Sequence, residues 1–433
     1  MAANKPMLHT VKEVCLDNGA RGLIINVPAA TVMSFHFNFR AGNYYVKTPE
    51  IYETAHLMEH MSFGANSLFR DEHEYEAEFA RNGAYHNAYT GDYSMGYTAE
   101  CADFEWDRIL ELQGLAIAEP NFNETELSSE KGNVLSELNG CVNQYNRLLW
   151  PKVQQALGER VLLYPERIKT IANITLADIR EHHTRTHTSD NMRFIIAGKF
   201  EGNREERLID IIEKWRLARG EFFVIPRDTY RKARPALIRR KDASNLTFGW
   251  SSIINRHLDD AEDDAMDCLN HILTGTMYSK IFGAARKRGL LYDMFSDVNN
   301  GPYDCAWDFG GEVNYDVADE LFDIIVSELR KVLDGKISDD DMTRAKQYAL
   351  GRHQMGAQTA AQIGHYYARY FNLGIIDDYA KAPELIQRTS KEDIIRVARE
   401  FMVSNIWMLA AVGSCRQSEL VKLSSKLATL YSK

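Results

Sequence analysis

Apolar side chains recur at every second position over Met33–Phe39: Met33, Phe35, Phe37 and Phe39 share one face and Ser34, His36 and Asn38 the other. A period of two predicts a strand buried on one side. Gly22–Val27 carries a second strand signal just before it, and the pair closes at Ala41-Gly42. Helical spacing follows around 51–63 and 71–82. Tyr85–Thr90 and Tyr93–Glu100 read as strands about a Gly91-Asp92 turn. Long helical patterns then occupy about 103–118 and 123–145, and Met192–Ala197 with Gly198 predicts a closing strand.

The order then repeats. Leu237-Ile238 and Leu246–Trp250 are strand-like, helices are predicted near 259–273 and 277–288, strands near 291–298 and 304–312, and a long helix near 315–333. The ends match most closely. Asp178-Ile179 stands 20 residues before Gly198, with Asn191 opening the last strand, and Asp393-Ile394 stands 20 before Gly413, with Asn405 opening its counterpart. Near-identical spacing of a helix start, an Asn and a strand-ending Gly predicts a duplicated fold. Residues 219–235 mix Gly, Pro and charge as linkers do, which predicts domains at 1–218 and 236–433. The predicted class is α+β: two homologous domains, each a mostly antiparallel sheet covered by helices on one face.

Composition narrows the function classes. The chain has 433 residues with 51 Lys and Arg against 61 Asp and Glu, a net charge of −10. An acidic surface repels phosphate backbones, so no nucleic-acid partner is expected. The basic cluster Arg231-Lys232-Ala233-Arg234 lacks interleaved aromatics and reads as solvated linker. Six cysteines without a CxxC read as reduced thiols. Met1–Ala20 has no apolar core, and apolar runs such as Ile406–Val412 are too short to span a bilayer. A cytoplasmic protein without membrane contact is expected.

The chemistry is concentrated in Ala55-His56-Leu57-Met58-Glu59-His60-Met61. His56 and His60 are four apart, so a helix projects both imidazoles from one face a turn apart, where both can reach one ion at about 2.0–2.1 Å. Glu59 beside them suits proton transfer from a metal-polarised water. The pattern is H-x-x-E-H. Histidines that merely cap or hydrogen-bond are the plainer reading. A helix predicted from the Asn123-Glu124-Thr125-Glu126 cap carries Glu130 and Glu137, seven apart on one face, with Glu137 close to apolar neighbours.

With these residues the chain resembles the insulinase/pitrilysin-type zinc metallopeptidases. There H-x-x-E-H is followed by a Glu that completes the site and a second Glu seven residues before it. Glu137 follows His60 after the 76 intervening residues that the family keeps, and Glu130 is the earlier Glu. The resemblance implies one Zn2+ per chain held by His56, His60 and Glu137, Glu59 as catalytic base, and Glu130 orienting a ligand or the water. Gly83 with Asn87-Ala88-Tyr89-Thr90 resembles the family's edge strand beside the zinc, which implies that Asn87, Ala88 and Tyr89 pair with an extended peptide substrate. Asn87 as a turn residue is the plainer alternative.

The second half has no H-x-x-E-H, and His271 in its corresponding helix reads as a satisfied helix histidine. Arg286-Lys287-Arg288-Gly289-Leu290-Leu291-Tyr292 resembles the family's Arg…Arg-Gly-Leu-x-Tyr segment, which implies that Tyr292 and Arg286 contact the developing oxyanion. Two departures stand out. The Arg-to-Tyr spacing is one residue short, leaving Arg286 or Ala285 at the family's Arg position. Glu53 replaces the usual small residue three before the first His, a change expected to bear on packing more than on chemistry. Arg286 and Arg288 as cations at a helix C-terminus are the plainer reading. Tyr85, Tyr89, Tyr93 and Tyr97 fit either a substrate channel or a packed sheet face. Family members of this length resemble half of a clamshell, which implies a homodimer or a heterodimer with a related chain. The expected activity is a zinc-dependent endopeptidase acting on unfolded peptides. The alternatives are a weakly active or non-catalytic peptide-binding subunit of a processing complex, and a zinc hydrolase of non-peptide amides.

Overall fold

The computed structural model describes residues 9–431; residues 1–8, the start of the Met1–Ala20 stretch, and 432–433 lie outside the described residues. The first sheet contains β1 (Thr10–Cys15), β2 (Arg21–Asn26), β3 (Val32–Phe39), β4 (Tyr85–Thr90), β5 (Met95–Ala102) and β6 (Met192–Gly198), in the order β1-β2-β6-β3-β5-β4. The second contains β7 (Ala236–Arg239), β8 (Asn245–Ile254), β9 (Leu291–Asn300), β10 (Cys305–Asn314) and β11 (Ile406–Gly413), in the order β7-β11-β8-β10-β9. Apart from β1 the two orders are the same. Each sheet has one parallel pair, β2 with β6 and β7 with β11, and is otherwise antiparallel.

The matched ends seen in the sequence are matched elements. Helices Leu176–Thr186 and Lys391–Ser404 each start from a hydroxyl residue, Thr175 and Ser390, whose oxygen accepts the backbone N–H of Asp178 and Asp393. Gly198 and Gly413 end β6 and β11. Asn405 closes its helix at φ 52°, a left-handed conformation that Asn tolerates.

The chain forms two compact units. One comprises the residues up to Asn139, Pro165–Pro226 and Gln354–Tyr379; the other comprises Gly140–Tyr164, Arg227–His353 and the residues from Ala380. The units therefore interleave along the chain instead of falling on either side of 219–235, a stretch without helix or strand. The reason lies in the central strands. On β2 and β6, Leu23, Ile24, Ile25, Ile195, Ile196 and Ala197 are all buried, so both faces of these strands need cover. In the first unit Trp106–Ala118 packs on β5 on one side. On the other, Ala360, Ile363, Tyr367 and Phe371 cover Leu23, Ile25 and Ile195. In the second unit helix Tyr145–Leu157 covers β8 and β11. Its Leu149 approaches so closely that a Cβ at Gly249 would lie 3.0 Å away. Helical cover on one face alone is thus corrected to cover on both faces of the central strands. Among the described residues, no helix is long and apolar enough to cross a membrane.

Candidate metal centre

Helix Thr54–Ser62 is built by its buried side: Ala55, Leu57, Met58 and Met61 are sealed in the core. Ser62 Oγ donates back to Met58 O at 2.8 Å and meets Tyr97 OH at 3.2 Å, which ties down the helix end. His56, Glu59 and His60 are left on the more open face. The second helix, Glu124–Val142, starts where Asn123 Oδ1 accepts the Glu126 N–H at 3.0 Å, and presents Glu130 and Glu137 two turns apart.

The two helices converge at one point. His56 Nε2 and His60 Nε2 lie 3.4 and 3.7 Å from the same oxygen, Glu137 Oε2. The outer nitrogens are also engaged: His56 Nδ1 is 2.9 Å from Glu53 Oε2, and His60 Nδ1 is 3.0 Å from Glu130 Oε2. Each carboxylate accepts an Nδ1–H, so both Nε2 atoms are turned inward and the proton each imidazole gives up on binding a metal is the one on Nε2. His56, His60 and Glu137 offer ligand atoms all within 4.8 Å of one another. Two imidazole nitrogens and one carboxylate oxygen make the three-ligand set that catalytic zinc sites complete with water or substrate.

The electrostatics favour a cation here. Burial alone would lower both imidazoles. Hydrogen bonds to Glu137 and Glu53 outweigh it at His56, raising its pKa to about 9. Hydrogen bonds to Glu130 and Glu137 do the same at His60, raising it to about 10. The same bonds from His56 and His60 hold Glu137 far below the usual carboxylate range, and the bond from His60 lowers Glu130. Burial would raise Glu53, yet hydrogen bonds from His56 and Arg167 keep it low.

Glu59 faces the open side, where Thr90 Oγ1 donates to its Oε2 at 2.6 Å. Thr90 ends β4, the edge strand of the sheet. Asn87, Ala88 and Tyr89 lie on that strand in register with Thr98, Tyr97 and Gly96, so Asn87 is a strand residue and not a turn residue. Tyr89 folds over Gly96, where a Cβ would come within 2.3 Å of the ring, and its hydroxyl accepts from Asn38 Nδ2 at 3.1 Å. The tyrosines do not form one stripe: Tyr85 and Tyr89 are exposed, whereas Tyr97 is fully buried.

Sequence reasoning underrated Glu53. It is not a packing change: it is 0% exposed, bonds to His56 and is clamped by Arg167 through contacts of 2.5 and 3.0 Å. Its position one turn before His56 was the available signal. Arg167 and the Thr90–Glu59 bond had none, since both depend on tertiary proximity.

Tyr292 and Arg286 belong to the second unit. Tyr292 is the second residue of the edge strand β9 and is 79% exposed, and the Arg286 guanidinium lies 4.4 Å from its ring centroid. Ala285 is buried in the core, so Arg286 is the one that meets Tyr292. Arg288 instead pairs with Glu320 at 3.0 Å. His271 is not satisfied as expected: among the described residues its buried Nδ1 meets no hydrogen-bond partner, and its ring stacks on Tyr348. In helix Asp339–Met355, Ser338 caps Asp341 as Asn123 caps Glu126. Counting from those caps sets Ala345 and Arg352 at the places of Glu130 and Glu137. An Arg there opposes a cation, and among the described residues the second unit shows no comparable donor set.

A family model described as Insulinase (Peptidase family M16) matches residues 28–161, and one described as Peptidase M16 inactive domain matches residues 173–348. The metal-type cluster falls within the first. The chain is 24% identical over 293 residues to a Bacillus subtilis protein named uncharacterized zinc protease YmxG, covering 66% of this chain and 69% of the relative. It is 22% identical over 413 residues to an uncharacterized zinc protease of Rickettsia felis, covering 92% and 96%. A shorter match, 27% over 175 residues, relates 39% of the chain to 35% of the rat mitochondrial-processing peptidase subunit beta. Among solved structures, the peptidase M16 inactive domain from Pseudomonas fluorescens superposes with a TM-score of 0.83 at 15% identity, covering 94% of this chain and 99% of that one.

Proposed function

The chain belongs to the insulinase family of peptidases, M16, in its short two-domain form, and on that premise we propose that it is a zinc-dependent endopeptidase acting on unfolded peptides. The observation that carries this reading is the convergence of His56 Nε2 and His60 Nε2 on Glu137, with Glu59 on the adjoining open side. His56, His60 and Glu137 hold one zinc per chain. When bound, zinc supplies Lewis acidity to a scissile carbonyl and acidifies water.

The chain's own residues do the rest. Glu59 takes a proton from the attacking water at Oε and returns it to the leaving amine. Thr90 fixes the other requirement, orientation, by holding Glu59 Oε2. Glu130 keeps the His60 imidazole turned with Nε2 inward. An extended substrate adds to the exposed edge of β4 at Asn87, Ala88 and Tyr89 through main-chain hydrogen bonds, which makes binding tolerant of sequence. Tyr292, with its exposed phenol, and Arg286, stacked upon it, serve as oxyanion contacts. A second chain, identical or related, is the proposed partner; a relative named as a subunit supports pairing.

Cleavage profiling of a mixed peptide library by mass spectrometry, with Glu59→Gln alongside, tests the reading. Products from the wild type that disappear in the zinc-loaded variant are expected. A folded, zinc-loaded wild type that binds peptides and cuts none would replace the endopeptidase with a peptide-binding subunit.

A further inference from the structure

Position 53 is a costly place for a carboxylate. Glu53 is 0% exposed, and a charge taken out of water is tolerated only with close partners. It has two. Arg167 grips it with Nε on Oε1 at 2.5 Å and Nη2 on Oε2 at 3.0 Å. The oxygen shared with Nη2 also faces His56 Nδ1 at 2.9 Å. Arg167 comes from helix Tyr164–Thr170, far along the chain, and the same turn is stitched back: Thr170 Oγ1 donates to Arg167 O at 2.8 Å and lies 3.4 Å from Glu53 N.

The two histidines are therefore backed differently. Behind His60 stands Glu130, on a partly open helix face and steadied by the Asn133 amide at 2.9 Å. Behind His56 stands a buried ion pair. Because Arg167 cancels the charge of Glu53, the pair offers His56 a strong, fixed acceptor without adding net negative charge. Bidentate guanidinium–carboxylate geometry also restricts the carboxylate to one plane.

We propose that Glu53 and Arg167 are a positioning pair for the metal centre, holding the His56 imidazole with Nδ1–H outward and Nε2 toward Glu137. This inference rests on the metal-binding reading above. A side chain serving only to fill space at position 53 would need neither the ion pair nor the contact to His56.

The test uses the full chain as Glu53→Gln, Arg167→Met and the double variant, with Glu137→Gln as reference. Zinc affinity is measured by competition with a chromogenic chelator, ligand geometry by the visible spectrum of the Co2+-loaded protein, and folding by melting of the metal-free forms. Glu53→Gln should weaken zinc binding by about 10–100-fold and alter the cobalt bands. Removing both charges should recover the melting temperature lost in Glu53→Gln, since no unpaired buried charge remains, without recovering zinc affinity. Zinc affinity that returns with stability in the double variant would reduce the pair to a structural element and overturn the proposal. So would wild-type affinity in all three variants while Glu137→Gln loses zinc. Undiminished zinc binding in Glu137→Gln would instead overturn the metal-binding reading, and this inference with it.

Discussion

Zinc binding should be coupled to the release of two protons. In the metal-free protein the His56 pKa is raised to about 9 and that of His60 to about 10, mainly by their hydrogen-bonded carboxylates acting against burial. Both imidazoles are then cations at neutral pH, and each must lose the Nε2 proton to become a ligand. Glu137 stays ionised throughout, being held well below the usual range by its two histidines. Zinc affinity should therefore rise about 100-fold for each pH unit between about 6.5 and 8.5, equivalent to about 2.7 kcal/mol per unit at 1.36 kcal/mol for each proton. The slope halves above the His56 value and vanishes above that of His60. Two ordinary histidines near 6.5 would give less than about a twofold rise between pH 7 and 8. The assay is competition against a chelator of known protonation, with protons counted by calorimetry in buffers of different ionisation enthalpy. A rise below tenfold between pH 7 and 8, or release of fewer than one proton, would refute the reasoning.

The same shifts act on the metal-free fold. Cationic His56 and His60 contribute stability that is full below the unfolded value of about 6.5 and is lost as pH rises through about 9 and 10, so the melting temperature of the zinc-free protein should fall over that range and that of the zinc-loaded protein should fall less. Thr90→Val removes the bond to Glu59 and should lower kcat by about tenfold, the worth of a hydrogen bond to a charged group, while chelator competition finds zinc affinity unchanged. Ile363→Ala opens a cavity beneath β2 and β6 and should cost about 2–5 kcal/mol in denaturant unfolding of whichever transition reports the first unit, with the metal site intact in the folded fraction.

The legible parts of this chain were those encoded by local period and spacing. His56, Glu59 and His60 could be grouped because a helix brings positions four apart onto one face. Glu137 was legible only through a family spacing, since nothing local relates it to His60. The duplicated topology showed in the Asp, Asn and Gly at matched intervals, which proved to be an N-cap partner, a helix-to-strand junction and a strand end. The exchange of helical segments between the sheets was hidden, because amphipathicity says that a helix has a buried side and not which sheet receives it. Ile24 and Ile25 side by side on β2 were the clue that both faces of that strand need cover. Glu53 was seen and undervalued: a single charge at a core position carries no label for the Arg that neutralises it when that Arg lies on another helix.

The most direct measurement of the whole account titrates zinc into the metal-free protein while following hydrolysis of an unfolded peptide, for the wild type and for Glu59→Gln. Activity should rise in proportion to zinc and level off at one equivalent per chain, and the variant should bind the same equivalent and remain inactive. Hydrolysis that is independent of zinc, or that persists in the zinc-loaded variant, would contradict it.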